Sequence, residues 1–180
     1  MEPSQGFASR LARPIVIGSK VHVLELPDLI TINDQMNLDD KGRVVLPKNL
    51  IRILRRVCGV DEKQELRLRY TIYTHGGIQV HPPADFLRLA RILQERSLDS
   101  EEAARRYRIF MGNADEIVVD KANRIRIPAH IIQSLGFKKV VQMVGQGDHF
   151  ELWHPEAWKK YHEELRGHVN QPFEKAVAKK

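Results

Sequence analysis

The chain is poor in the residues that would tie it to a metal, a redox cycle or a membrane. A single cysteine, Cys58, cannot form an internal disulfide and leaves no cysteine cluster to hold zinc, so a reducing, cytosolic compartment is expected. No stretch approaches the roughly 18 apolar residues of a membrane helix, which argues against an integral membrane protein. The eight histidines, at positions 22, 75, 81, 130, 149, 154, 162 and 168, match neither an HExxH-like nor a Cys/His ligand spacing, and no metal site is expected. Ser97, Ser100 and Ser134 lie in no nucleophile-elbow context. The run "GQGDHF" from Gly145 lacks the strand-then-helix flanks of a dinucleotide loop and reads as a hairpin turn.

What is present is an ordinary globular composition with a basic balance. The 180 residues are 42% hydrophobic and 29% charged, enough for one domain or two small ones. With 29 Lys+Arg against 23 Asp+Glu the formal charge is +6, which favours polyanions without identifying one. The start, "MEPSQGFASRLARPIVIG", carries Arg10 and Arg13 but only a short apolar run, and reads as a basic or strand-adding extension rather than a secretory leader.

The chain contains its own copy. Sliding it against itself lays "LDDKGRVVLP", starting at Leu38, on "VDKANRIRIP", starting at Val119. Asp39 meets Asp120, Arg43 meets Arg124 and Pro47 meets Pro128, while Leu38, Val44 and Leu46 meet Val119, Ile125 and Ile127. Further on, "GGIQVHPPADFLRLARIL" matches "DHFELWHPEAWKKYHEEL", pairing Pro83 with Pro155 and Phe86 with Trp158. Duplication of one structural unit explains both matches.

Each copy has the same local pattern. Ile117 and Val119, then Ile125 and Ile127, alternate with polar residues as half-buried strands do, so the charged stretch between them reads as a hairpin tip. Gly42 and Asn123 occupy the same place in the two tips and are the residue types that best tolerate positive φ, which predicts the same backbone kink in both. After each proline the period becomes helical: Leu50, Ile51, Leu54 and Val57 run to Gly59, and "PAHIIQSLGF" runs to Gly136. "ELRLRYTIY" and "VVQMVG" read as strands, "GGIQVHP" and "HFELWHP" as further strands whose prolines open helices. The unit is ββ, short helix, ββ, helix. A connecting helix is expected to begin at Ser100, and the tail "FEKAVAKK" to fray.

Asp39 and Asp40 do not make a convincing acid–base pair. Neighbours in an extended strand point to opposite faces, and Lys121 replaces Asp40 in the second copy. The repeated Asp-x-x-x-Arg is more informative. A carboxylate four residues from a guanidinium across a tight turn can hold the arginine's fork in a fixed direction for a phosphate or a guanine edge. The same pairing can merely close a hairpin, contributing under about 1 kcal/mol when exposed. The pattern alone leaves both readings open.

"LDDKGRVVLP", "VDKANRIRIP" and the ending "GDHFELWHPEAWKKYHEEL" together resemble the MraZ family of bacterial transcriptional regulators, within the AbrB/SpoVT-like DNA-binding group, from about Leu38 to Leu165. The resemblance implies an α+β fold: tandem AbrB/SpoVT-like repeats forming a double swapped-hairpin β-barrel with flanking helices. The expected divisions are 1–30 (N-terminal extension), 31–98 (first repeat), 99–112 (connecting helix), 113–167 (second repeat) and 168–180 (tail). It also implies a cytoplasmic, nucleoid-associated, ring-shaped homo-oligomer that binds double-stranded DNA at repeated sites upstream of the division and cell-wall gene cluster. No enzymatic activity, cofactor or small-molecule substrate is implied. Carried over by position, Asp39, Lys41, Gly42 and Arg43 match the first DNA-binding motif, and Asp120, Lys121, Asn123 and Arg124 the second. Two departures are Asn123, where the family has glycine, and the long segment before Ile30. The alternative is an AbrB-like antitoxin or interaction module whose last helix, around Trp158 and Tyr161, occupies a protein partner.

Overall fold

A computed structural model describes residues 14–17, 20–23, 29–73 and 76–168. Arg10 and Arg13 of the expected basic arm, and the tail from residue 169, lie outside the described residues. Strands β1 (Pro14–Ile17) and β2 (Lys20–Val23) pair with each other in a separate antiparallel hairpin, with Ile15 opposite His22, and add no strand to the main sheet.

The repeated pattern becomes a repeated element order. The first series is β3 (Asn33–Asn37), β4 (Arg43–Val45), α1 (Lys48–Cys58), β5 (Leu66–Tyr73), β6 (Gly77–His81) and α2 (Pro83–Arg96). After α3 (Glu101–Gly112), the second series is β7 (Asp115–Val119), β8 (Arg124–Arg126), α4 (Ala129–Leu135), β9 (Val140–Gly145), β10 (Phe150–Trp153) and α5 (Pro155–His168). Local chemistry accounts for the boundaries. α1 and α4 follow Pro47 and Pro128 and stop at Gly59 and Gly136, both left-handed at φ 66°. Ser100 caps α3 by accepting a hydrogen bond from the Ala103 amide at 3.1 Å. The expected hairpin turn between β9 and β10 is present, closed by Gln146 N donating to His149 O at 2.9 Å.

Strand pairing crosses between the series. Six strands form an open antiparallel sheet in the order β3-β9-β10-β6-β5-β7, and β4 pairs with β8 in a separate two-stranded ribbon. Replacing every strand by its counterpart turns the order β3-β9-β10-β6-β5-β7 into its own reverse, so the sheet has a pseudo-twofold axis between β10 and β6. The first strand of each series thus pairs with the third strand of the other: β3 with β9, and β7 with β5.

This corrects the simple hairpin expected at each tip. The turn closes, but beyond the single bridge between Leu38 and Val44 the strand after the tip pairs with its counterpart from the other series. Val44 and Ile125 sit opposite each other and are fully buried. A three-residue strand can bury only one inward side chain, and the cheapest cover for it is the equivalent side chain of the other copy. Behind this pair the core is continuous: Leu50, Ile51 and Leu54 from α1, Ile131 from α4, and Leu68, Ile78, Met143 and Leu152 from the sheet belong to one cluster. Each such side chain contributes roughly 1.5–3 kcal/mol on burial. Phe86, Ala90 and Phe110 form a smaller cluster between α2 and α3, with Phe86 and Phe110 stacked at 4.9 Å.

Away from the tips the two series diverge. His81, 2% exposed, closes β6 where its counterpart Trp153 closes β10. His81 stacks on His149 at 4.3 Å, and Arg88 reaches Asp148 at 2.9 Å and the buried Asp85 at 3.4 Å. On the other side Trp153 stacks on Tyr161 at 5.2 Å and lies 5.5 Å from Trp158. Gly77, opposite Trp153, leaves room for that ring: a Cβ there would lie 3.0 Å from it.

Candidate nucleic-acid interface

The two tips are built alike, bond for bond. At the first, Asp39 Oδ1 accepts from the backbone amides of Lys41 and Arg43, each at 2.9 Å, and Oδ2 accepts from Arg43 Nε at 2.7 Å. At the second, Asp120 Oδ1 accepts from Ala122 and Arg124 amides at 2.8 and 3.0 Å, and Oδ2 from Arg124 Nε at 2.8 Å. Nη2 of each arginine also reaches the same Oδ2, at 2.7 and 2.8 Å. One carboxylate therefore closes the turn with one oxygen and aims the guanidinium with the other. The Nη1 side of each fork is outside this contact.

The backbone kink is also shared. Gly42 has φ 73° and Asn123 φ 57°, and each donates its amide to the aspartate carbonyl, at 2.8 and 2.9 Å. Their own carbonyls accept from the opposite series: Ile127 N donates to Gly42 O and Leu46 N to Asn123 O, both at 2.8 Å. The tips are thereby locked side by side. The difference is steric. Gly42 is buried, and a Cβ there would lie 2.7 Å from Ile132 Cδ1 and 3.0 Å from Ile127 O.

Electrostatics follow the geometry. The hydrogen bond from the Arg43 side chain holds the Asp39 carboxyl down at about 2. Burial would raise Asp120, but the Arg124 hydrogen bonds outweigh it and its value is lowered. Arg124 is raised by Asp120 first and also feels Asp39, so the two tips share one field. Lys41, Lys121 and Asp40 are exposed.

The structure thus brings Asp39, Lys41, Gly42 and Arg43 next to Asp120, Lys121, Asn123 and Arg124. It adds a residue that sequence reading did not single out. Arg126 lies directly opposite Arg43 in the ribbon and is exposed. Its alternation with Ile125 marked it as outward-facing, but only the cross-pairing puts it beside the first tip. A groove of about 490 Å³ next to that tip is lined in part by Asp40, Lys41, Arg126, Gln133 and Lys138. Among the described residues no group of three or more His, Cys, Asp or Glu is placed to hold a metal ion, and no helix is long and apolar enough to cross a membrane.

Comparison with known proteins decides the family. A regulator from Thioalkalivibrio sulfidiphilus named "Transcriptional regulator MraZ" is 33% identical over 129 residues, covering 72% of this chain and 82% of the relative. The chain belongs to the MraZ family. A MraZ regulator from Methylobacillus flagellatus is 31% identical over 69% of the chain and 80% of its own length. Another, from Heliobacterium modesticaldum, is 28% identical over 79% and 93%. The family model described as "MraZ protein, putative antitoxin-like" matches residues 110–180. These three relatives are each named as transcriptional regulators, and membership supports a transcriptional regulator here.

Proposed function

We propose that this protein is a sequence-specific regulator that binds double-stranded DNA as a ring-shaped homo-oligomer, on repeated sites upstream of the division and cell-wall gene cluster. The observation that carries the reading is the pair of carboxylate-held arginines set side by side by the β4–β8 ribbon. An aspartate that already fixes the guanidinium lowers the entropy lost on docking a fork onto a guanine edge. In this reading Arg43 and Arg124 contact base edges, Lys41 and Lys121 contact phosphate, Asp39 and Asp120 orient the arginines, and Gly42 and Asn123 shape the turns. Residues 31–98 and 113–167 are the two AbrB/SpoVT-like repeats, and the exchange of strands between them is the swapped-hairpin arrangement, with the ribbon closing the open sheet towards a barrel. A cytoplasmic protein associated with the nucleoid follows from the same reading.

One tip offers few contacts. Several tips arrayed in a ring on evenly spaced sites multiply affinity through effective concentration. In gel shifts with a duplex carrying tandem sites selected from a random pool, Arg43→Ala is expected to lose specific binding by at least about 10–100-fold while the oligomer keeps its native mass. Normal binding by Arg43→Ala would sink the reading. Binding should also weaken steeply with salt, since each neutralised phosphate releases counterions. The antitoxin-like wording of the family model favours a second reading, in which α5 engages a protein partner. Against it, Trp158 and Tyr161 already pack on Trp153 of the same chain.

A further inference from the structure

The outer face of the ribbon carries four side chains, two from each series. β4 and β8 pair in the register Arg43↔Arg126, Val44↔Ile125, Val45↔Arg124. Val44 and Ile125 point inward and are fully buried, so Arg43, Val45, Arg124 and Arg126 share the opposite face. The pseudo-twofold axis makes Val45 and Arg126 counterparts, yet one is apolar and the other cationic. They are the departure from symmetry on this face.

The ladder sharpens the contrast. Bonds from Ile127 N to Gly42 O and from Leu46 N to Asn123 O make 42–127 and 46–123 bonded pairs. Alternation then makes 43–126 and 45–124 non-bonded pairs, in which side chains approach more closely. Arg43 and Arg126 are thus like charges directly opposed, an arrangement unfavourable in isolation. Arg43 has Asp39 as its carboxylate. Among the described residues Arg126 has no ion pair to offset that repulsion. At the other end Val45 stands 57% exposed beside the paired Arg124. An exposed valine on a face otherwise made of arginines is apolar surface that a solvated patch does not require.

A two-stranded ribbon is narrow enough to enter the major groove, where side chains on its outer face meet base edges. Resting on the DNA-binding reading above, we propose that Arg126 and Val45 are specificity-determining residues that make the two tips read different bases. Arg126, beside Arg43, selects guanine through O6 and N7. Val45, beside Arg124, packs on a thymine methyl. Each half-site is therefore not a simple inverted copy of itself, despite the twofold construction of the ribbon.

The test is selection of bound duplexes from a random library by the full-length protein, followed by sequencing, with wild type, Arg126→Gln, Arg126→Val and Val45→Arg compared. Glutamine favours adenine in the major groove, so Arg126→Gln should move one position from guanine to adenine by about tenfold in enrichment. Arg126→Val should lose the guanine preference at that position, and Val45→Arg should replace a thymine by guanine at a different one. Both positions are on the exposed face, and unchanged thermal melting and native mass certify the fold. If the wild type enriches a motif that all three variants reproduce, this assignment fails while DNA binding stands. If the wild type enriches no motif, the DNA-binding reading fails and this one with it.

Discussion

The two tips agree and the two corners where α2 and α5 meet the sheet do not. At the tips every hydrogen bond of the aspartate has its equivalent, although the paired Asp and Arg side chains are only partly buried. At the corners His81 with His149 and Asp148 does the packing that Trp153, Trp158 and Tyr161 do on the other side. A helix can be fastened to a sheet by buried polar side chains or by stacked rings, since either fills the space; at the histidine corner His81 Nε2, Asp85 Oδ2 and His149 Nε2 are buried without a hydrogen-bond partner. An aimed guanidinium has only one geometry. Agreement at the more open place and divergence at the packed one is the reverse of what stability alone would favour, and it supports the proposed role of the tips.

The sharpest break of the tip equivalence is Gly42→Ala. Positive φ and the approach to Ile127 O both oppose a side chain there, and we expect a loss of about 1–3 kcal/mol, or roughly 2–10 °C in melting temperature. Asn123→Gly, at the equivalent place, should stay within about 0.5 kcal/mol, because Asn already tolerates its φ of 57°. Equal effects of the two would show that the tips share one steric environment.

The corners are separated by pH. Burial would lower His149, but the Asp148 hydrogen bond at 2.7 Å and the Glu151 carboxylate 3.7 Å away lift it to about 9. A value raised above the unfolded 6.5 stabilises fully below that pH, and the stabilisation is lost as pH climbs through about 9. His149→Gln should therefore cost about 1–3 kcal/mol at pH 6 and nearly nothing above pH 10, as read from melting against pH. His81 runs the other way: burial first, and then the His149 charge, hold it at about 3, so it opposes the fold as pH falls from 6.5 towards 3. No such dependence is expected on changing Trp153.

The smallest effect belongs to the tip carboxylate. Asp39 is depressed from 3.8 to about 2, so its pairing is intact above pH 4 and disappears as pH falls through 2. Being exposed, it should barely move stability, and carboxyl chemical shifts are the way to read its titration. In Arg43→Ala the value should return towards 3.8. A value still near 2 would mean that the backbone amides, not the arginine, set it.

Most local structure was readable from residue order, because its causes are local. Pro47 and Gly59 bracket α1, Gly42 and Asn123 announce positive φ, and the internal copy carries the Asp-x-x-x-Arg pairing whose two partners lie within one turn. Alternation could say that Val44 and Ile125 point inward, but not what covers them, because a strand's partner depends on which apolar faces remain uncovered once the chain has closed on itself. Only the tertiary structure paired β4 with β8, exchanged β3 and β7 between the two series, and so placed Arg126 opposite Arg43 and Val45 opposite Arg124. The same holds for His81 and His149, far apart in sequence and stacked in space: a buried histidine's charge is set by what folds against it, and that is decided by long-range packing.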